Sequence, residues 1–255
     1  MRITRFLSDE NKPQFGWIDV DSIGFIQGNH FGVYRRFEAK QKLSEVKLLP
    51  PCEPSKIIAV GRNYLDHIQE MQSEVPEYPL LFLKPPSSLL STGEEIIIPP
   101  QSQRVEHEAE LAVIIGKKAR WLTLDDVKSV VFGYTIANDV TARDLQTRDG
   151  QWARAKGFDT FCPLGPWIET DFDPADAIIS CHVNSAMRQM ASTRDMIFSI
   201  DRLLMFISSV MTLMPGDVIL TGTPAGVSML EPGDIVTINI DGIGNLVNPV
   251  ASAKV

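Results

Sequence analysis

Short apolar runs separated by turn-forming residues dominate this chain. Three of them, at 2–7, 15–20 and 23–27, are parted by Asp9-Glu10-Asn11 and by Asp21-Ser22. They predict a small β appendage over residues 1–50. Leu49-Pro50-Pro51 and Glu53-Pro54 then form a stiff, extended link, which places a domain boundary there and a main domain over 51–255. KIIAVG at 56–61 and PLLFLK at 79–84 read as buried strands. EAELAVIIG at 108–116 and FGYTIAN at 132–138 are further apolar runs. Thr123 is placed to cap a short helix over 124–131, with Asp125 and Asp126 in its first turn where the helix dipole favours them.

One stretch carries a clear helical period. Met196, Ile197, Ile200, Leu203, Leu204, Ile207, Val210 and Met211 recur on a single face. They predict one long helix, capped at Ser192 or Thr193, ended by Pro215-Gly216 and packed into the core. Residues 181–189 read as a strand or half a hairpin. Strands follow at 217–221, 233–240 and 246–253, around a GTPAG loop at 222–226. The pattern as a whole predicts a β-rich α+β protein with few helices.

The chemistry begins in the EAELAVIIG run. Residues i and i+2 of a strand point to one face, so Glu108 and Glu110 look into one site. Asp139 closes the next apolar run. Three acids at strand ends repel one another unless a cation sits among them, and hard oxygen ligands suit Mg²⁺, Mn²⁺ or Ca²⁺. His67 and Glu70, three apart, share a face of one helical turn. They form either a dyad in which the carboxylate orients the imidazole or a solvated pair on a surface helix. Lys84 ends its strand either as an anion-steering cation or as a solvated lysine. Arg143 and Lys156 lie near the acids, as cations of the site or as partners of Asp144, Asp149 or Asp159. Backbone N–H groups around Gly222 and Gly226 suit a carboxylate.

Charge and cysteine content narrow the partners. Lys and Arg total 24 against 32 Asp and Glu, a formal charge of -8. That balance argues against nucleic acid or an anionic membrane as the main partner. It leaves room for a small anionic substrate, because a bound cation reverses the local field. Cys52, Cys162 and Cys181 are odd in number and widely spaced, as expected for reduced thiols in the cytoplasm. The N-terminal residues lack an apolar signal core, and no apolar run approaches membrane-spanning length.

Six motifs occur in order: GRNYLDHIQEM, LFLKP, HEAELAVIIG, ANDVTARDLQ, AKGFDTFCPLGPW and PGDVILTGTPAGV. Together they resemble the fumarylacetoacetate hydrolase family in its short single-core form, from about Lys56 to the C-terminus. The resemblance implies a mixed β-roll of layered sheets and a homodimer. It makes Glu108, Glu110 and Asp139 the ligands of a divalent metal, Mg²⁺ or Mn²⁺, and His67 and Glu70 a water-activating dyad on a lid. Arg143, Gln146 and Lys156 match residues that hold developing negative charge. Thr223 and Gly222 match the loop that receives a substrate carboxylate, and Arg62, Tyr64 and Lys84 are assigned to the substrate as well. Glu106 and His107 are left out of the ligand set.

The chemistry this implies starts from an enolate of a β-dicarbonyl or 2-oxo acid. The first expectation is a hydrolase or decarboxylase of small acids such as acylpyruvates, oxaloacetate or fumarylacetoacetate-like compounds. The alternative is an isomerase or decarboxylase of carboxymethyl-hydroxymuconate-type diacids in aromatic breakdown. A remoter one is a non-catalytic, cation-stabilised binding protein.

Overall fold

The computed structural model describes residues 1–254. Its centre is the strand Ala109–Ile115, every residue of which is buried. It pairs antiparallel with Val131–Asn138 on one side and with Val218–Leu220 on the other. Ala112 and Ile114 pack into one apolar cluster, with Ile57, Ala59 and Leu220. Val113 and Ile115 pack into another, with Ile58, Val60 and Ile219. Both faces are covered, so an unbroken apolar run is the pattern such a strand requires.

From this centre a thirteen-stranded sheet extends both ways. Beyond Val218–Leu220 lie Ile57–Gly61, in parallel, and then the edge strand Leu80–Lys84. Beyond Val131–Asn138 lies Cys162–Glu169, and next to it Arg2–Leu7. The N-terminal strands therefore continue the main sheet. Arg2–Leu7 joins Cys162–Glu169, and Pro13–Asp19 and Ser22–Gly28 follow outward. A five-stranded sheet packs on the first, in the order Ile96–Ile98, Gly244–Ser252, Ile235–Ile240, Ile178–Val183 and Ala186–Ser192. Leu111 and Ile136 from the first sheet meet Ile179, Ile238 and Leu246 from the second. The result is β-rich with few helices, as the apolar pattern predicts.

The long helix is shorter than its apolar stripe. It covers Ile200–Val210, and Ser199, not Ser192 or Thr193, is its N-cap, with its hydroxyl accepting from Arg202 N–H. Ser192 caps a single 3-10 turn, Thr193–Asp195. The cause lies far away in sequence. Asn63 accepts at its carbonyl from Ile197 N–H and at Oδ1 from Phe198 N–H, at 2.8 and 2.7 Å. Those bonds claim donors that a helix would use and hold 196–198 extended. Leu203, Leu204 and Ile207 still face the core, each contributing about 1.5–3 kcal/mol by burial. The helix capped at Thr123 spans Leu124–Val130. The segment 178–192 is a complete hairpin.

Candidate active site

The three acids converge because the register of the central strands places them together. Ala109 pairs with Asn138, so the residues just outside that pair, Glu108 and Asp139, are neighbours across the ladder. Asp139 N–H donates to Glu108 O at 2.8 Å, and Glu108 N–H donates to Asn138 Oδ1 at 2.9 Å. Glu110 follows one strand repeat later. Carboxylate oxygens of Glu108, Glu110 and Asp139 all lie within 4.8 Å of one another, and all three residues are buried.

Cations crowd around this cluster. Lys156 Nζ donates to Glu108 Oε2 at 2.7 Å and to Asp139 Oδ2 at 2.6 Å. Lys84 Nζ donates to Asp139 Oδ1 at 2.6 Å. Arg143 donates through Nη2 to Glu108 Oε1 at 2.6 Å and through Nη1 to Gln146 Oε1 at 2.7 Å. Burial raises the Glu108 carboxyl, but Lys156, Arg143 and His67 outweigh it and hold the group well below the usual carboxylate range. Glu110 behaves oppositely. Burial, then the charges of Asp139 and Glu108, push it far up, and the Gly222 N–H and Lys156 only partly compensate.

This donor set fits a hard divalent ion. Three buried carboxylates offer oxygen ligands alone, and Glu110 stands where a further positive charge relieves repulsion. The Tyr64 hydroxyl is buried without a partner among the described residues and feels the Glu110 charge.

A small cavity of about 60 Å³ opens on these groups. Arg62, His67, Glu108, Glu110, Arg143, Gln146, Lys156 and Thr223 line it, with Phe82 and Trp152 as apolar walls. His67 lies on the helix Leu65–Glu70. Its Nδ1 meets Glu70 Oε2 at 3.0 Å, and Glu70 Oε1 accepts from Gly226 N–H at 3.0 Å. The helix is thus tied to the GTPAG loop across the cavity mouth. Glycine is required there: φ is +98° at Gly222 and +101° at Gly226, where an added Cβ would come within 1.9 Å of Arg188 O. Gly222 N–H donates to Glu110 Oε2 at 2.6 Å.

Three residues assigned to the substrate stand outside the lining: Lys84, Tyr64 and Gly222, whose N–H is taken by Glu110. Lys84 is 1% exposed and sits behind Asp139, absent from the cavity lining. Asp139 and the Val140 carbonyl occupy its ammonium, so its place is electrostatic support of the cluster. Tyr64 is the N-cap of the helix Leu65–Glu70 and lies outside the lining too.

Two others belong to the site: Glu106, set aside from the ligand set, and Gln189, not singled out. Glu106 is buried and accepts from Arg143 Nε at 2.7 Å, so Arg143 is gripped between Glu106 and Glu108. Gln189 uses its whole amide. Oε1 meets Ala109 N–H and His107 Nδ1, both at 3.0 Å, and Nε2 donates to Thr223 Oγ1 at 2.8 Å and Pro224 O at 2.7 Å. It clamps the Ala109 backbone and the His107 ring, on either side of Glu108, to the GTPAG loop. Glu106 stood next to the ligand pair as a visible signal, an extra acid with no other use. Gln189, on a strand of the second sheet, gave none.

A family model described as Fumarylacetoacetate (FAA) hydrolase C-terminal matches residues 56–251, and one described as Rv2993c-like, N-terminal matches residues 1–51. The oxaloacetate tautomerase FAHD2A, mitochondrial, of Homo sapiens is 43% identical over 81% of this chain and 70% of its own length. The crystal structure of a 2-hydroxyhepta-2,4-diene-1,7-dioate isomerase from Mycobacterium marinum superposes with a TM-score of 0.91 at 41% identity, covering both chains fully. The maleylpyruvate hydrolase of Sphingobium sp. SYK-6, in complex with manganese (II) ion and pyruvate, gives a TM-score of 0.83 at 33% identity, again over both whole chains.

Proposed function

The chain belongs to the fumarylacetoacetate hydrolase family, and from that premise we propose that it is a divalent-metal-dependent enzyme acting on small 2-oxo and β-dicarbonyl acids, oxaloacetate and acylpyruvates first among them. The observation that carries this reading is the buried cluster of Glu108, Glu110 and Asp139, flanked by Lys156 and Arg143, all but Asp139 lining one cavity. A Mg²⁺ or Mn²⁺ ion held by the three carboxylates supplies Lewis acidity toward the oxygens of the 2-oxo acid. The manganese and pyruvate in the maleylpyruvate hydrolase support that choice of ion and substrate class.

The chain's own groups do the rest. Lys156 and Arg143 stabilise negative charge as it develops on the enolate oxygen, each donor worth a few kcal/mol, about 3–4 by analogy with oxyanion donors. Gln146 orients Arg143. The loop of Gly222 and Thr223 receives the carboxylate. His67, oriented through Nδ1 by Glu70, takes a proton from water at Nε2, and the hydroxide formed attacks the outer carbonyl. The bond between that carbon and the enolate carbon then breaks, and the enolate is protonated. With oxaloacetate, loss of the β-carboxylate as CO₂ leaves the same enolate.

A second reading is a tautomerase or isomerase of oxaloacetate or hydroxymuconate-type diacids. The identity to the human tautomerase and to the M. marinum isomerase favours it. An NMR time course with Mg²⁺ or Mn²⁺ separates the outcomes. Pyruvate with CO₂ or with a second acid supports the first reading. A shifted double bond or faster keto–enol exchange alone supports the second. No turnover of any of these acids refutes both and leaves a cation-stabilised binding protein.

The reading includes a homodimer, to be checked by light scattering. It also includes a reducing, cytoplasmic setting, supported by three buried free thiols. No described helix is long and apolar enough to cross a membrane.

A further inference from the structure

His107 stands beside Glu108 in the chain, yet its ring turns away from the carboxylate cluster toward the second sheet. It is wholly buried. Nδ1 lies 3.0 Å from Gln189 Oε1 and 3.4 Å from Cys181 Sγ, and Nε2 lies 2.9 Å from Ser228 Oγ. The partners of Gln189 fix the direction of these bonds. Its Nε2 donates to Pro224 O, which can only accept, and its Oε1 faces Ala109 N–H, which can only donate. Oε1 is therefore an acceptor, and His107 Nδ1 carries the proton it receives. In the neutral ring Nε2 is left bare, to accept from the Ser228 hydroxyl.

Ser228 lies on the segment that leaves the GTPAG loop. That segment is fixed at both ends. Gln189 holds Pro224 O, while Met229 bridges Glu106 and Leu230 N–H donates to Val105 O at 2.8 Å. Between the ends lies Gly226, pressed on Arg188 O and bound through its N–H to Glu70 Oε1 at 3.0 Å. The bond from Ser228 to His107 comes two residues later. It sets this turn against the stretch of chain that carries Glu108.

The bond is not needed to satisfy the serine. Ser228 is only part-buried, and water would serve its hydroxyl as well. The cost falls on the other partner, an imidazole taken wholly out of water. Phenylalanine or leucine would fill that space without a polar atom. A buried ring that spends both nitrogens on the GTPAG segment and its clamp points to control of that segment.

We propose that His107 is a positioning residue for the hydrolytic step. Through Ser228 it holds the Gly226 N–H on Glu70 Oε1, and the other oxygen of Glu70 fixes His67 Nδ1 at 3.0 Å. The strand that carries the cluster thereby sets the imidazole across the cavity. This rests on the water-activating reading of His67 given above.

Ser228→Ala removes the tie at a part-buried position and leaves His107 in place. It is expected to slow acylpyruvate hydrolysis about tenfold, the scale of one lost hydrogen bond. Mn²⁺ affinity and keto–enol exchange of oxaloacetate should stay close to wild type. Amide hydrogen exchange, read by NMR on the protein without substrate, should quicken at Gly226 and stay slow at 109–115. Ser228→Thr keeps the hydroxyl and should restore both readouts. In a Glu70→Ala background, Ser228→Ala should slow hydrolysis no further. Unchanged exchange at Gly226, equal loss of both reactions, failure of threonine to rescue, or additive losses with Glu70→Ala each overturn the proposal. If the wild-type protein hydrolyses no acylpyruvate, the water-activating reading fails instead. Exchange at Gly226 then decides the tie alone: quickening reversed by threonine upholds it, and no change refutes it.

Discussion

The carboxylate cluster and the His67–Glu70 helix face one cavity but are held in different ways. The cluster hangs on paired strands at the middle of a thirteen-stranded sheet, and its members are buried. The dyad sits on a six-residue helix whose link to the opposite loop is one hydrogen bond, from Gly226 N–H to an exposed glutamate. A helix this short has little stability of its own. On the reading proposed above, the rigid part would fix charge and ion, and the lightly held part would deliver the proton acceptor.

The strongest way to break this contrast is to damage the rigid part. Glu110→Gln is expected to weaken Mn²⁺ binding by at least about 100-fold and to remove turnover of every acid tested, read by calorimetry and NMR. Removing the ion with a chelator should have the same effect and be reversed by Mg²⁺ or Mn²⁺. If Glu110→Gln retained wild-type Mn²⁺ affinity, the cluster would not be the metal site.

Damage to the light part should be selective. His67→Ala is expected to slow acylpyruvate hydrolysis about 10²- to 10⁴-fold, with Mn²⁺ affinity within a few-fold of wild type. Keto–enol exchange of oxaloacetate should survive better, since it needs no attacking water. Equal loss of both reactions would show that the dyad serves the enolate step itself.

A smaller effect tests the joint between the two regions. Gln189→Glu keeps an acceptor for Ala109 N–H but loses the donors to Thr223 Oγ1 and Pro224 O. We expect KM to rise about tenfold, the scale of one lost buried hydrogen bond, with kcat nearly unchanged. Hydrogen exchange should quicken at 222–226 and stay slow at 109–115. Uniform loss of kcat and ion affinity would mean that the residue supports the whole sheet instead.

The smallest effect belongs far from both. His30 stacks on Phe15 with ring centroids 3.6 Å apart, and burial, helped by the Arg5 charge, lowers its pKa from 6.5 to about 4. The folded state thus holds this ring neutral where the unfolded chain protonates it. Its stabilising share is complete above pH 6.5 and is lost progressively as the pH falls toward 4. NMR titration should show His30 neutral at pH 5. In His30→Phe this part of the fall in Tm between pH 6.5 and 4 should vanish, with turnover at pH 7 unaffected.

Much of the site was legible because it rests on local rules. The two-residue repeat put Glu108 and Glu110 on one side, the three-residue spacing joined His67 to Glu70, and the apolar runs marked the central strands. The helix over 192–214 misled because its start is decided by Asn63, more than a hundred residues earlier. The sequence by itself determined which side chains are available and the periods that sort them into faces. Only the tertiary structure decided that Lys84 turns inward to Asp139, that Glu106 grips Arg143 and that Gln189 couples the strand to the loop. Each of these depends on which charge finds which partner across the sheets, and pairing over such distances leaves no period in the chain.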